Sequence, residues 1–307
     1  MKPFRKHAAL AIDGGGIRGT MVAQALAILE EKMGQPCADL FGIFAGTSTG
    51  SILSTCLAGR IPAERIHALY VELGATIFRR TWRFYWPLSG WRFSLKPLAE
   101  ALRDALGERT MGSYWDASQP LDVLTTVRDL AENRTRYVKS WKKEYQGWKA
   151  WYAVLCSCAV PTYFPVVDGR YVDGGVGSYS NPCYLAAYEA AYLQKWDPAE
   201  TTLISLGTGR EAGGLEPHRA DRFNAIDWVR PLVDSFLADA NDQQVRVVRQ
   251  FFPDLDFRRF QVQLEPPIAI DDPAAIPKLT ELGKRLADKI WHDDVDDRAL
   301  RRPGEIG

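Results

Sequence analysis

The stretch Asp13-Gly14-Gly15-Gly16-Ile17-Arg18-Gly19 follows a short apolar run over residues 7–12 and precedes a helical pattern over residues 19–34. About thirty residues later, Gly46-Thr47-Ser48-Thr49-Gly50 lies between a second apolar run and a second helical pattern. Each stretch therefore has a strand–turn–helix context. Further short apolar runs alternate with helical patterns as far as residue 206, which predicts an α/β fold with a mostly parallel sheet covered on both sides.

The glycine-rich stretch has three interpretations. Gly14, Gly16 and Gly19 match the G-x-G-x-x-G pattern of dinucleotide-binding proteins, although Asp39, the candidate ribose-binding acid, precedes the second strand instead of ending it. Successive glycine N–H groups also suit a cavity in which an oxyanion forms. The third interpretation is a tight turn without a ligand. The sequence around Ser48 decides between these alternatives.

Gly46-x-Ser48-x-Gly50 is the pattern of a nucleophile elbow, in which a serine occupies a sharp turn between a strand and a helix. Small residues at positions 46 and 50 allow the strand and the helix to approach each other. The helix that begins at the serine favours a negative tetrahedral intermediate through its dipole. Together with the glycine-rich stretch, this pattern predicts a serine acyl hydrolase.

A nucleophilic serine needs a base, and the sequence offers two kinds. His67, His218 and His292 follow the elbow, but they lie in an amphipathic helical pattern or in charged stretches, which is typical of surface residues. Asp173 ends a short strand beside two glycines, where a carboxylate can approach a serine hydroxyl closely. The Asp-Gly pair at Asp168 is explained by a tight hairpin turn. The sequence therefore favours Asp173.

Two further stretches, Ala159-Val160-Pro161-Thr162-Tyr163-Phe164-Pro165 and Ser205-Leu206-Gly207-Thr208-Gly209, complete a set that resembles the patatin-like phospholipase family in content and order. The resemblance covers roughly residues 7–210. It implies a three-layer α/β/α fold with a mostly parallel central sheet. It also implies a lipid acyl hydrolase that cleaves phospholipids or related glycerolipids at a membrane surface, without a metal or other cofactor.

The resemblance assigns roles by position. Ser48 would be the nucleophile and Asp173 the general base of a catalytic dyad, and the amides of Gly15 and Gly16 would form the oxyanion hole. Arg18 would lie near a substrate phosphate. The remaining motif positions are Gly14, Gly19, Gly46, Gly50, Gly174 and Gly175.

The resemblance and the helical patterns divide the chain into two predicted parts. Residues 7–210 would form the patatin-like phospholipase domain, and residues 211–307 a C-terminal helical extension packed on it. Helical patterns over residues 225–252 and 277–291 support the second assignment. An alternative function is a phospholipase effector of bacterial antiviral defence that a cyclic nucleotide activates. Residues 211–307 could hold such an activator.

The composition excludes several classes of protein. Lys plus Arg and Asp plus Glu both number 38 in 307 residues, so no global charge favours a nucleic acid partner. The five cysteines are not spaced as a disulfide framework or a metal site, and we expect them to be buried thiols in a reducing cytoplasm. No apolar run reaches the roughly 18 residues that a membrane span requires. We expect a cytoplasmic protein, soluble or bound at a membrane surface.

Two segments carry aromatic and basic residues together, residues 78–96 and 134–151. Such segments suit the headgroup region of an anionic bilayer, but a packed helical cap or a set of strand positions explains them equally well. The acidic run over residues 293–297, beside His292, is expected to be a solvated end of the chain and not a metal site.

Overall fold

The computed structural model describes residues 1–80, 90–177, 179–211, 218–224, 227–228 and 241–297. These residues form a central sheet with helices on both faces. The strands are β1 (His7–Ile12), β2 (Ile43–Gly46), β3 (Asp122–Asp129), β4 (Arg134–Lys139), β5 (Tyr171–Asp173), β6 (Thr201–Leu206), β7 (Arg210–Glu211), β8 (Asp256–Phe260) and β9 (Gln263–Leu264).

The helices account for most of the remaining described residues. A π-helical turn over Glu189–Leu193 continues the eighth helix, and short 3-10 helices cover Gly16–Arg18 and Gly174–Gly177. The α-helices are α1 (Gly19–Met33), α2 (Cys37–Leu40), α3 (Thr49–Ala58), α4 (Ala63–Ile77), α5 (Lys96–Leu106), α6 (Gly112–Trp115), α7 (Ala150–Ser157), α8 (Cys183–Tyr188), α9 (residues 241–251) and α10 (Ile276–Trp291).

The main sheet has the strand order β4-β3-β2-β1-β6-β8, and β5 pairs with β3 beyond the end of β2. The pairings from β3 to β8 along this order are parallel, while β4 and β5 are antiparallel to β3. The inner strands β1 and β6 are almost wholly buried, as their apolar sequences predict for strands covered on both faces. The mostly parallel sheet is confirmed.

Alternate residues of β1 face two separate apolar clusters. Leu10 and Ile12 belong to the cluster formed with α1, α3, α4, α5, α7 and α10. Ala9 and Ala11 belong to the cluster formed with α8 and α9. Because successive side chains of a strand point to opposite faces, these two clusters are the two helical layers. The three-layer α/β/α architecture predicted from the sequence is therefore confirmed.

The segment after residue 210 differs from the helical extension that the sequence predicts. Residues 256–260 form β8, which pairs in parallel with β6 and extends the main sheet. The sequence of β8, Asp-Phe-Arg-Arg-Phe, carries two arginines, so its apolar character is too low to predict a buried strand. The prediction of helix near residues 277–291 is confirmed by α10, which packs on α1. The domain boundary at residue 210 stays a prediction.

Two other sequence patterns gave incomplete assignments. The alternation over residues 134–151 predicted strands, but after β4 the chain turns and enters α7 at Ala150. Half of the helical pattern over residues 225–252, including Pro231, lies outside the described residues, and the end of the pattern is observed as α9. The predicted hairpin at Asp168 is observed, since Val167 pairs with Tyr171 across the turn.

Candidate active site

Ser48 lies on a strained turn between β2 and α3. Its backbone angles are φ 55° and ψ −125°, in a region that non-glycine residues rarely adopt. A Cβ atom at Gly46 would collide with the backbone of Gly50, so the strand and the helix pack too closely for a side chain there. The N–H of Ser48 donates a hydrogen bond of 2.9 Å to Oγ of Ser157. These contacts give the elbow geometry that the sequence predicts.

Asp173 is the last residue of β5, which is paired with β3 opposite Val127. Its side chain is buried, and Oδ1 accepts a hydrogen bond of 2.7 Å from the N–H of Gly175. Within the described part of the chain, Oδ2 is buried without a hydrogen bond of ordinary length and angle. Catalytic hydrogen bonds are often long in free enzymes, so this open acceptor is compatible with a base.

The structure brings the Ser48 hydroxyl and the Asp173 carboxyl together. Burial raises the pKa of Asp173 to about 6, and the hydroxyl of Ser48 and the amide of Gly175 partly oppose this effect of burial. The thiol of Cys158 also lies close to Asp173. Burial raises the pKa of this thiol, and the charge of Asp173 raises it further. The two residues that the sequence predicts as a dyad therefore form one buried polar cluster.

The glycine-rich stretch lies against Ser48. A Cβ atom built on Gly14 would be 3.3 Å from the Cβ of Ser48, and Gly16 lines the same cleft as Ser48. Gly16 has φ 57°, which is readily available to glycine. The glycine-rich stretch therefore lies next to the serine that the sequence predicts as the nucleophile.

The amides of the glycine-rich stretch differ in their hydrogen bonds. Among the described residues, those of Gly15 and Gly16 have no protein acceptor, whereas the surrounding amides are all paired. The paired amides donate from Asp13 to Leu206 (3.0 Å), from Gly14 to Ser180 (2.8 Å), from Ile17 to Ile270 (2.9 Å) and from Arg18 to Gly15 (3.1 Å). Two adjacent unpaired donors beside a serine are what an oxyanion hole requires.

A buried ion pair holds the start of the glycine-rich stretch. Arg259, on β8, donates from Nη1 to Oδ1 of Asp13 at 2.8 Å and to Oγ of Ser205 at 2.9 Å. A second guanidinium nitrogen contacts Oδ2 of Asp13. The side chains of Asp13 and Arg259 are only 1% and 4% exposed. Sequence reasoning missed Arg259, because two adjacent arginines make residues 256–260 too polar to be recognised as a buried strand.

The guanidinium of Arg18 is engaged elsewhere. It forms an ion pair with Glu211, and its Nε donates to the carbonyl of Ile268 at 2.7 Å. Arg18 is not among the residues that line the cleft. The phosphate-binding role of Arg18 stays a prediction, and a phosphate would have to compete with the Glu211 carboxylate.

The other candidate bases have partners away from Ser48. His67 contacts Oγ1 of Thr280, His218 contacts Asp221, and Nδ1 of His292 contacts the carbonyl of Asp288. Asp168 accepts a hydrogen bond from the Tyr152 hydroxyl at the hairpin turn. None of these residues lines the cleft that contains Ser48. The preference for Asp173 over the histidines agrees with this arrangement.

Ser48 opens into an apolar cleft whose empty space, including the solvent at its open mouth, is about 830 Å³. Its walls come mainly from α3, α4 and α5, and its lining is almost entirely hydrocarbon. The sequence analysis recognised these helices but not the cleft, because helical spacing does not show which apolar faces enclose space. The helical residues that line it are Thr49, Ile52 and Cys56 of α3; Leu69, Tyr70, Leu73, Gly74 and Ile77 of α4; and Leu98, Ala101, Leu102 and Ala105 of α5.

The two aromatic and basic segments are largely packed where the structure describes them. Phe78 and Phe93 meet edge to face at 5.4 Å, and Phe93 is buried. In the second segment, Nε1 of Trp141 donates to Glu189, and Trp148 packs edge to face on Tyr145. Four other aromatic residues of the first segment, Trp82, Phe84, Tyr85 and Trp86, lie outside the described residues.

The remaining expectations concern the cysteines, a metal site, the candidate ribose-binding acid and membrane spans. All five cysteines are free and buried, as expected. Among the described residues, no group of His, Cys, Asp or Glu side chains could hold a metal ion. Asp39, the candidate ribose-binding acid, instead forms a surface ion pair with Arg60, with 2.6 Å between Oδ1 and Nη2. No helix in the described ranges is both long and apolar enough to cross a membrane.

The fold and the site define an α/β protein with a nucleophile elbow, an opposing buried carboxyl and a glycine-rich turn. The family model for patatin-like phospholipase matches residues 10–187, which is more than half of the chain. The chain therefore belongs to the patatin-like phospholipase family.

Three curated relatives illustrate the similarity. The cGAMP-activated phospholipase of Pseudomonas aeruginosa is 32% identical over 65% of this chain and 61% of its own length. The calcium-independent phospholipase A2-gamma of Rattus norvegicus is 30% identical over 66% of this chain but only 28% of its own length. Patatin group D-2 of Solanum tuberosum is 28% identical over 75% of this chain and 68% of its length. The chain thus spans less than two thirds of the first two relatives.

We predict that Arg259→Met lowers the free energy of unfolding by about 3–5 kcal/mol, because it leaves the Asp13 carboxylate buried without its partner. Burial raises the pKa of Asp13 and the charge of Arg259 opposes this, so losing the arginine favours protonation of the carboxyl. Urea unfolding followed by circular dichroism measures the change. Arg65→Met, which breaks an exposed pair with Glu72, is the control and should cost less than about 1 kcal/mol. Equal losses in the two variants would contradict the prediction.

Proposed function

We propose that the protein is a lipid acyl hydrolase of phospholipase A type, which cleaves ester bonds of phospholipids or related glycerolipids. The observation that carries the proposal is a strained serine beside a buried carboxyl, both at an apolar cleft of about 830 Å³. Such a cleft suits an acyl chain, and such a pair suits nucleophilic catalysis. Membership of the patatin-like phospholipase family supports the same activity.

The proposed reaction begins with a proton transfer from Oγ of Ser48 to the carboxylate of Asp173. Oγ attacks the ester carbonyl, and the amides of Gly15 and Gly16 stabilise the oxyanion. One such donor typically contributes about 3–4 kcal/mol to the stability of the transition state. The tetrahedral intermediate then expels the alcohol, which takes its proton from Asp173, and leaves an acyl-Ser48 ester. Water, activated by Asp173, hydrolyses this ester and restores the hydroxyl.

The raised pKa of Asp173 supports its role as the base. A carboxyl with its usual pKa is a weak base for an alcohol, whereas a pKa of about 6 lies closer to neutral pH and gives more driving force. The cause is burial, so the apolar surroundings of the dyad contribute to the proposed chemistry. Ser157 supports the nucleophile in turn, since its Oγ accepts the hydrogen bond from the Ser48 amide.

The proposed substrate is presented at a membrane surface, where the protein would act as a peripheral, cytoplasmic enzyme. Arg18 would contact a lipid phosphate after exchange with Glu211, its present partner. An arginine can bind either a carboxylate or a phosphate through charge-assisted hydrogen bonds, so such an exchange is chemically balanced.

Ser48→Ala and Asp173→Asn should each lower the rate of fatty acid release from phospholipid vesicles by about 10³-fold or more, as expected for residues that act as one unit. Asp168→Asn, the same chemical change at an exposed turn nearby, is the control and should retain full activity. Labelling by a fluorophosphonate should be lost in Ser48→Ala, and circular dichroism should show that each variant is folded. Substantial hydrolysis by folded Ser48→Ala would exclude the mechanism.

The activity should depend on pH through Asp173. Because burial raises its pKa to about 6, the carboxyl keeps its proton until that pH and can act as a base only above it. We therefore expect kcat/KM for a soluble ester to rise about tenfold per pH unit below 6 and to level off above it. The measurement is a pH profile from 4.5 to 9. A profile that is flat over this range would show that Asp173 is not the titrating base.

Activation by a cyclic nucleotide is a second candidate property. Its support is the 32% identical relative from Pseudomonas aeruginosa, a cGAMP-activated phospholipase. If this chain is regulated in the same way, added cGAMP should increase vesicle hydrolysis at least tenfold from a low basal rate and should raise the melting temperature of the protein. Full activity without the nucleotide, together with an unchanged melting temperature, would reject this candidate.

A further inference from the structure

Helices α3 and α5 line the cleft with parallel sets of residues. The lining residues of α3 run from Thr49 to Cys56, and those of α5 run from Leu98 to Ala105. Each set covers seven residue steps, which corresponds to about 10 Å along a helix. Ser48 immediately precedes the first of these sets, so the nucleophile stands at one end of the enclosed length.

The chain direction of the helices shows where the cleft ends. At its end distant from Ser48, α3 lies close to the segment after α5: a Cβ atom built on Gly59 would be 3.3 Å from Nη1 of Arg109. The hydroxyl of Tyr114 also donates to the carbonyl of Thr55 in α3. Helix α4 begins four residues after Gly59 has ended α3 and runs back along it, since the hydroxyl of Tyr70 contacts Oγ1 of Thr49 at the start of α3. At this opposite end, Phe93, just before α5, packs on Phe78, just after α4. Helices α3 and α5 therefore run in the same direction, away from the nucleophile.

The far end of the lined length is formed by small side chains. Cys56 is the last lining residue of α3 and Ala105 the last of α5, while Ala101 lies one helical turn closer to Ser48. The other lining residues of α5 are leucines, so Ala101 and Ala105 are the two places on this wall where the space is not filled by a large side chain.

We propose that Ala101 and Ala105 determine how much of the acyl chain the cleft accepts, with the chain lying along α3 from Ser48 towards Cys56. The proposal rests on the proposed function and adds its acyl specificity. Carbon–carbon bonds of about 1.5 Å at near-tetrahedral angles advance about 1.25 Å per carbon, so about 10 Å holds about eight carbons. The fourth carbon reaches the level of Ala101, and the eighth that of Ala105.

In the wild-type protein, kcat/KM should increase with the length of the acyl group up to this limit of about eight carbons. Burial of one CH₂ group corresponds to about fourfold in affinity for an apolar site. We therefore expect kcat/KM for p-nitrophenyl esters to rise from the two-carbon to the eight-carbon acyl group and to level off beyond it. Esters up to eight carbons are soluble enough to be compared as monomers.

The experiment places a larger side chain at each alanine and measures the ratio of kcat/KM for eight-carbon and two-carbon esters. In Ala105→Leu the rise should stop before eight carbons, and the ratio should fall at least tenfold. In Ala101→Leu the rise should stop near four carbons. Circular dichroism should show that both proteins are folded, and the ratio separates a change in acyl-length preference from a general loss of activity. Ala105→Val, a smaller change, should give an intermediate ratio.

Asp104→Leu is the matched control, because it adds the same side chain to the exposed face of the same helix. Its profile should equal that of the wild type. Unchanged profiles in both alanine variants, with hydrolysis still dependent on Ser48, would overturn the acyl-length proposal and leave the proposed function standing. If the wild-type protein hydrolyses neither these esters nor phospholipid vesicles, with or without added cGAMP, both the proposed function and this inference are wrong.

Discussion

The buried ion pair between Asp13 and Arg259 is the constraint on which the arrangement of the site depends. It joins the start of the glycine-rich stretch to β8, a strand that follows it by more than two hundred residues. Taking two charges out of water is costly, and their bidentate contact, with the added hydrogen bond to Ser205, offsets that cost only in this geometry. The pair therefore specifies the position of the glycine-rich stretch more than it adds stability. Ile17 is held in the same way by the distant carbonyl of Ile270.

The sheet places the other parts of the site around this fixed point. β2 ends at the turn that carries Ser48, and β5 ends at Asp173, and both strands pair with β3 on the same edge. The strain at Ser48 persists because Gly46 and Gly50 pack backbone against backbone around it. Burial of Asp173 in the same region raises its pKa, so one packing arrangement positions Ser48, the proposed nucleophile, and raises the pKa of the carboxyl. The proposed chemistry therefore depends on close packing more than on any single contact.

The apolar cleft lies next to the proposed reacting groups and is the basis of the proposed acyl specificity. The helix that begins beside Ser48 also forms a wall of the cleft, so the proposed nucleophile and the proposed acyl subsite share one helix. The helices α4 and α5 complete the walls with side chains at helical spacing, and the small residues of α5 leave the space between them. Because this helical wall starts at Ser48, each carbon of a bound acyl chain would lie beside a fixed residue of the wall. A mobile loop could not fix the position of each carbon in this way.

The sequence by itself determined the α/β class, the strand–turn–helix position of Ser48 and most of the helices, because these features depend on local conformation and on hydrophobic periodicity. It also favoured Asp173, whose neighbouring glycines indicated a close approach. Only the tertiary structure revealed β8 and Arg259, since a strand with two arginines is recognisable only when its buried acidic partner is known. Only the tertiary structure also revealed the cleft and the amides of Gly15 and Gly16, which have no acceptor among the described residues. Which donors remain free, and which apolar faces enclose space, is decided by contacts between segments far apart in the chain.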